Sequence, residues 1–270
     1  MYFHLNHERA FGTFPLKGQT LADALNTALE VGYRAIDTAQ MYQNEADIGN
    51  VLQHCDVPRD ELFITSKVPI DQFDDALFLP SVQRSLDDLK IEKLDVLLLH
   101  WPPADGDIDK PLEMLLNAQQ KGLCTHIGVS NFTASMLRRC KQLTTLPIVT
   151  NQVEFHPLLN QEILLKAASE TGIPLSSYCS VARGAVFQQP LIHQLAADYG
   201  VTAGQIVLRW ILQRGVSINT MSTKAANIRA NFDVRGFTLS HVDMTRINEL
   251  GQLNYRIVNS TLVPWAPTWD

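Results

Sequence analysis

The 270-residue chain is sparing with charge. Charged residues are 19% of it, and 22 basic against 28 acidic side chains leave a formal net charge of −6. No block of Lys and Arg offsets that balance, which argues against a nucleic-acid partner. Long hydrophobic runs are missing too. The strongest apolar stretches are strand-sized, far short of a membrane span, and residues 1–9 lack the charged start and apolar stretch of a secretory signal. The four cysteines, Cys55, Cys124, Cys140 and Cys179, include no Cys-x-x-Cys pair, so nothing supports a disulfide framework or a zinc site. His4 and His7 stand three apart near the terminus without companion ligands, and no metal is expected. A cytoplasmic monomer is the expectation. Absent also is Gly-x-Gly-x-x-Gly after the first strand-like run; Phe11-Gly12-Thr13 offers one glycine. An open doubly wound sheet would ordinarily announce its nucleotide site that way.

Alternation is what the chain does have. Apolar runs at Ala10–Thr13, Arg34–Asp37, Leu62–Ser66, Leu94–Leu99, His126–Val129, Ile148–Gln152, Pro174–Tyr178 and Val216–Asn219 are predicted as strands. Between them fall amphipathic stretches predicted as helices: Thr20–Val31, Asn44–Cys55, Pro80–Leu89, Leu112–Lys121, Ala134–Leu143, Gln161–Thr171, Leu191–Tyr199 and Ala203–Gln213. Gly32 is placed as a helix C-cap, and Ser81, Thr133 and Thr202 near N-caps. The polar residues that end the runs recur at even intervals, and no Pro/Gly/Ser-rich linker breaks the series. These features predict one α/β domain over residues 1–270, an (β/α)₈ barrel.

In such a barrel the strand ends converge on one mouth, where function sits. Asp37, Lys67 and His100 each close an apolar run, and Tyr42 follows Asp37 by five positions. These types suit proton delivery to a carbonyl oxygen. A free phenol, with a pKa of about 10, is a sluggish acid at neutral pH. A cation beside it favours the phenolate. Lys67 supplies that charge if the strand ends meet, Asp37 keeps the lysine protonated, and His100 orients the carbonyl. Any one of these residues could merely cap a helix or face solvent; the four together at barrel spacing reverse that balance.

Longer motifs then become legible. Asp37-Thr38-Ala39-x-x-Tyr42-x-Asn44-Glu45 with Gly49, Leu99-His100-Trp101-Pro102, Gly128-Val129-Ser130-Asn131-Phe132 and Asn151-Gln152-Val153-Glu154 stand in order. Over essentially its full length the chain resembles the aldo-keto reductases, most nearly their bacterial diketogluconate- and methylglyoxal-reducing branch. The resemblance implies Tyr42 as general acid tuned by Lys67 and Asp37, with His100 orienting the substrate. It implies Ser130, Asn131 and Gln152 on a nicotinamide carboxamide, and Tyr178 stacked on the ring. Gly12 and Thr13 join the cofactor set, as do Ser222, Thr223, Lys224 and Asn231 on a helix running from Ser222 to about Asn231. NADPH is the expected cofactor, with NADH the alternative, because Met221, Asn227 and Ala230 replace the family's usual Lys, Arg and acidic residue. Pro69 stands where many relatives have an aromatic residue and should reshape the mouth. Phe14, Met41, Trp101 and Trp265 are expected to line the substrate site. A small carbonyl compound is the expected partner.

Two rival readings share the barrel. One is a catalytically weak dinucleotide-binding regulatory or structural subunit. The other is an aldolase or lyase using Lys67 as a Schiff base.

Overall fold

Eight parallel strands pair in chain order and close on themselves, β1 meeting both β2 and β8. They are β1 (Arg9–Gly12), β2 (Ala35–Asp37), β3 (Phe63–Val68), β4 (Leu94–Leu99), β5 (Cys124–Ser130), β6 (Ile148–Glu154), β7 (Leu175–Tyr178) and β8 (Ser217–Thr220). The structure is a computed structural model and describes residues 8–270; His4 and His7 lie outside the described residues. No helix among those residues is long and apolar enough to cross a membrane.

Helices wrap the strands: α1 (Gly18–Val31), α2 (Glu45–Leu52), α3 (Phe78–Leu89), α4 (Asp109–Gln120), α5 (Ala134–Leu143), α6 (Glu162–Thr171), α7 (Pro190–Tyr199), α8 (Ala203–Gln213), α9 (Ala225–Phe232) and α10 (His241–Glu249). Strand side chains alternate between two environments, as a period of two requires. Ala10, Ala35, Val96 and Leu98 form a small separate cluster, while Phe11, Ile36, Ile64, Leu97 and Ile218 join the large cluster shared with the helices. The first set fills the lumen and the second glues the outer layer. In α1 the buried Leu21, Ala24, Leu25, Ala28 and Leu29 supply the helical half of that glue. Gly32 stops the helix at φ 115°, donating its N–H to the Ala28 and Leu29 carbonyls.

Other boundaries follow from local chemistry. Thr133 caps α5, and Thr202 with Gln205 forms a reciprocal capping box on α8. Ser81 is not a cap: α3 opens at Phe78, and the Ser81 hydroxyl, inside the helix, donates to the Phe78 carbonyl. The connection from β7 to β8 carries two helices, α7 and α8, where the patterns at Leu191–Tyr199 and Ala203–Gln213 put them. The α10 helix was not anticipated. Ile247 is its one buried residue, so its apolar periodicity is faint. Gly49 lets α2 and α3 touch, since a Cβ there would lie 2.2 Å from the Asp88 carbonyl oxygen.

Candidate active site

The register carries three ionisable groups to one mouth. Asp37 ends β2 opposite Gly12 on one side and Thr65 on the other. Lys67 lies two residues further along β3, on the same face, and His100 directly follows β4. Tyr42 comes from a short 3₁₀ turn, Gln40–Tyr42, whose exit Gln43 has φ 52°. Thr38 and Asn44 staple that turn: the Thr38 hydroxyl donates to Asn44 Oδ1 at 2.7 Å, and the Asn44 amide donates to the Thr13 and Leu16 carbonyls. The buried Glu45 anchors the start of α2 by accepting from Ser66 and Ser85. The signature segment is thus a scaffold for placing one phenol.

The four groups meet. Lys67 Nζ lies 2.5 Å from Asp37 Oδ1, 2.8 Å from the Thr38 carbonyl and 3.4 Å from the Tyr42 hydroxyl. The rings of Tyr42 and His100 stand edge to face, centroids 5.6 Å apart. Lys67 is fully buried. Burial alone would strip its proton, but Asp37 and Tyr42 outweigh that and hold the ammonium above its ordinary value. Burial, then the Lys67 charge, keeps His100 well below the usual imidazole range, so it is neutral near pH 7. The Tyr42 phenol is pushed up by burial, and Lys67 pulls it back only part of the way. The lowering expected from the lysine is present as a local pull and not as the net shift.

Across the mouth, β5 to β7 hold the second group. Gly128 admits the approach of β5 to its neighbours: a Cβ there would lie 2.6 Å from the Leu98 side chain. Asn131, at φ 64°, donates to the His100 carbonyl and the Ser130 hydroxyl and accepts from the Tyr178 hydroxyl at 2.7 Å. It does not cap α5; Thr133 does. Ser130 donates to the Gln152 carbonyl, and the Gln152 amide donates to Asp37 Oδ2 at 2.7 Å. That last bond ties the two groups into one network, and no sequence pattern announced it.

Other candidates fall in different surroundings. Gly12 ends β1 with the Thr220 backbone 3.7 Å from where a Cβ would be. Thr13 is fully buried and its hydroxyl donates to the Asp37 carbonyl. Ser222, Thr223 and Lys224 precede α9, which opens at Ala225 and runs to Phe232; the expected helix began three residues too early. Thr223 and Lys224 are exposed and Asn231 is half-buried. Of the residues expected to line the substrate site, Phe14, Met41 and Trp265 are open to solvent, and the Phe14 ring lies 5.1 Å from that of Tyr42. Trp101 is instead buried, with Trp269 edge-on at 6.1 Å.

The C-terminal segment contributes residues that sequence inspection missed. Glu154, buried at the end of β6, accepts from His156 and from the backbone N–H groups of Ile257 and Val258, and Arg256 lies over the Trp269 ring. Asp270 accepts from the Ala134 N–H at the start of α5. This strap, which touches Glu154 at the end of β6, Ala134 after β5 and Trp101 after β4, has no helical or strand periodicity, so the signal for it was weak.

Barrel, strand-end acid–base set and amide cluster define a class of carbonyl-handling oxidoreductase, and comparison with known proteins agrees. The Aldo/keto reductase family profile matches residues 10–252. Methylglyoxal reductase DkgB of Yersinia pestis is 37% identical over 96% of this chain and 97% of that one. A crystal structure of a candidate 2,5-diketo-D-gluconic acid reductase B superposes with TM-score 0.93 at 37% identity, over 97% of this chain and 93% of that one. The Bombyx mori aldo-keto reductase in complex with NADP superposes with TM-score 0.85 at 30% identity, over 93% and 91% of the two chains. The chain belongs to the aldo/keto reductase family. It is an NAD(P)H-dependent oxidoreductase acting on small carbonyl substrates.

Proposed function

We propose that this protein reduces small aldehydes, α-dicarbonyls and keto-sugars to alcohols with NADPH, using Tyr42 as proton donor. The observation that carries the reading is Lys67 Nζ, 3.4 Å from the Tyr42 hydroxyl while paired with Asp37. A bound nicotinamide supplies the hydride. Tyr42 gives its proton to the carbonyl oxygen, and the adjacent ammonium stabilises the phenolate left behind. This matters because burial otherwise disfavours that phenolate. Neutral His100 can donate to the same oxygen without adding a second positive charge beside Lys67.

The side chains present fit the dinucleotide. The Gln152 side-chain nitrogen is on Asp37, and its oxygen is the acceptor a carboxamide would use. Tyr178 is half-buried with its hydroxyl tied to Asn131, a fixed ring on which a nicotinamide would stack. Ahead of α9, Ser222, Thr223 and Lys224 offer hydroxyls, backbone N–H groups and one cation at a helix start, the arrangement that suits an anion. Lys224 and exposed Arg229 would stand in for the cations lacking at Met221 and Asn227.

The Schiff-base reading fares worse. It needs a neutral amine, whereas Lys67 is held as an ammonium against Asp37. The regulatory reading requires binding without turnover, and the assembled proton relay speaks against it. Mixing the protein with NADPH and methylglyoxal should bleach the cofactor's near-ultraviolet absorbance. Tyr42→Phe should slow that loss by about 10²–10⁴-fold, the usual worth of a placed general acid. No consumption across a broad carbonyl panel would overturn the proposal. Tighter quenching of tryptophan fluorescence by NADPH than by NADH tests the cofactor preference.

A further inference from the structure

The two oxygens of Asp37 are held from opposite sides. Oδ1 takes Lys67 Nζ at 2.5 Å and Oδ2 takes Gln152 Nε2 at 2.7 Å. Gln152 stands on β6 and Asp37 on β2, four strands apart in either direction round the closed sheet, so this bond spans the mouth. Both side chains are buried, at 2% and 4% exposure. The Gln152 backbone is fixed as well, its carbonyl accepting from the Asn131 N–H and the Ser130 hydroxyl. An amide carries donors on one end and an acceptor on the other. Here the donor end is on the proton relay.

We propose that Gln152 is a positioning residue for Asp37, so that one amide joins the nicotinamide side of the mouth to the proton relay. The inference rests on the reductase reading above and adds to it. Gln152 would neutralise part of the Asp37 charge and aim its other oxygen at Lys67. Without that donor, the Asp37 charge acts harder on Tyr42, which it already pushes up, and proton delivery slows. A residue that merely held the cofactor would alter affinity and leave the relay alone.

Gln152→Glu and Gln152→Met separate these cases. Glu keeps the shape but sets a second carboxyl against Asp37, and two carboxylates in one buried site bind a shared proton tightly. The other titratable groups around this point are Lys67 from β3, Tyr42 from its turn, His100 after β4, Glu154 further along β6 with its carboxyl below the ordinary value, Tyr178 and Cys179 at the end of β7, and Arg256 from the strap. Lys67, Tyr42 and Tyr178 are held above their ordinary values, Cys179 is raised to about 11, and His100 lies well below 6.5. The introduced pair would therefore dominate the local response between pH 5 and 8. Its proton is bound more tightly folded than unfolded, so the variant's stability is present at low pH and lost as pH rises.

Melting of the protein without cofactor should show the gap between wild type and Gln152→Glu widening by several degrees over that range. The gap to Gln152→Met should stay flat. At saturating NADPH and methylglyoxal, kcat of Gln152→Glu relative to wild type should fall by about tenfold or more from pH 6 to pH 8, the size of a one-unit pKa displacement. A pH-independent melting gap would overturn the contact. A kcat restored to wild type at every pH by saturating cofactor would overturn the positioning role. Should wild type reduce no carbonyl at all, the reductase reading fails, and the melting comparison still decides whether Gln152 meets Asp37.

Discussion

The two ends of the proposed cofactor path are built differently. At the barrel mouth Asp37, Lys67, His100, Asn131 and Gln152 are all buried, and the side chains of Asp37, Lys67, Asn131 and Gln152 are each hydrogen-bonded within the site. Ahead of α9, the Thr223 and Lys224 side chains are exposed, and the local bond in evidence is the Lys224 N–H to the Ser222 hydroxyl. Chemistry at the first place needs charges fixed within a fraction of an ångström, which only a packed interior provides. Anion capture at the second needs N–H groups and a loose cation, which a helix start on the surface supplies.

The sharpest way to break this contrast is Lys67→Met. It leaves the Asp37 carboxylate buried with Gln152 as its remaining donor. Loss of one member of a buried pair costs about 3–5 kcal/mol, so urea unfolding should register a drop of that order. Carbonyl reduction should fall by about 10²–10⁴-fold in the fraction that folds. A stable, active variant would show that the interior network is not needed.

A middle-sized effect is expected at the strap. Burial opposes the charged form of Glu154, but His156 and the Ile257 and Val258 N–H groups overcome it and keep its carboxyl below the ordinary value. A carboxyl lowered on folding stabilises above its unfolded value, and that contribution is lost as pH falls through the folded one. Glu154→Gln should therefore cost about 1.5–3 kcal/mol near neutral pH. The difference from wild type should shrink on acidification through and below the carboxylate range. Chemical denaturation at pH 7 and in mild acid checks both; equal losses at the two pH values would remove the charge from the account.

The smallest effect belongs to the surface end. Lys224→Ala should weaken NADPH binding by about 0.3–1 kcal/mol, an amount that fades as salt is added, and should leave stability untouched. Fluorescence titration at two ionic strengths measures it. A loss independent of salt, or one accompanied by a lower melting temperature, would mean this segment is as tightly built as the mouth.

Much of this was legible in the chain because period and order survive without coordinates. The β4 run Leu94–Leu99 and the helices at Ala134 and Ala203 fall where their apolar patterns put them, and Asp37, Lys67 and His100 announce themselves by ending strands. Boundaries set by side chains from elsewhere did not show. Ser81 has the chemistry of a cap, but α3 starts at Phe78 because the chain turns earlier, with the Ser81 N–H donating to the Leu77 carbonyl. Thr13 suits a ligand contact by type, and the bond its hydroxyl donates to the Asp37 carbonyl could not be read from the chain. Trp101 belongs to the expected lining, and its edge-on neighbour Trp269 comes from the far end of the chain, a pairing no local pattern shows.

Local order was thus settled by the sequence itself: hydrophobic period builds strands and helices, their count and even spacing close the barrel, and ionisable residues mark the strand ends. The tertiary structure alone decided who holds whom. It set Gln152 against Asp37 across 115 positions of chain, bent the strap onto Glu154, and let burial prevail over the lysine at Tyr42. The physical reason is that desolvation and hydrogen-bond partnership depend on distances through space, and a sequence records only distances along the chain.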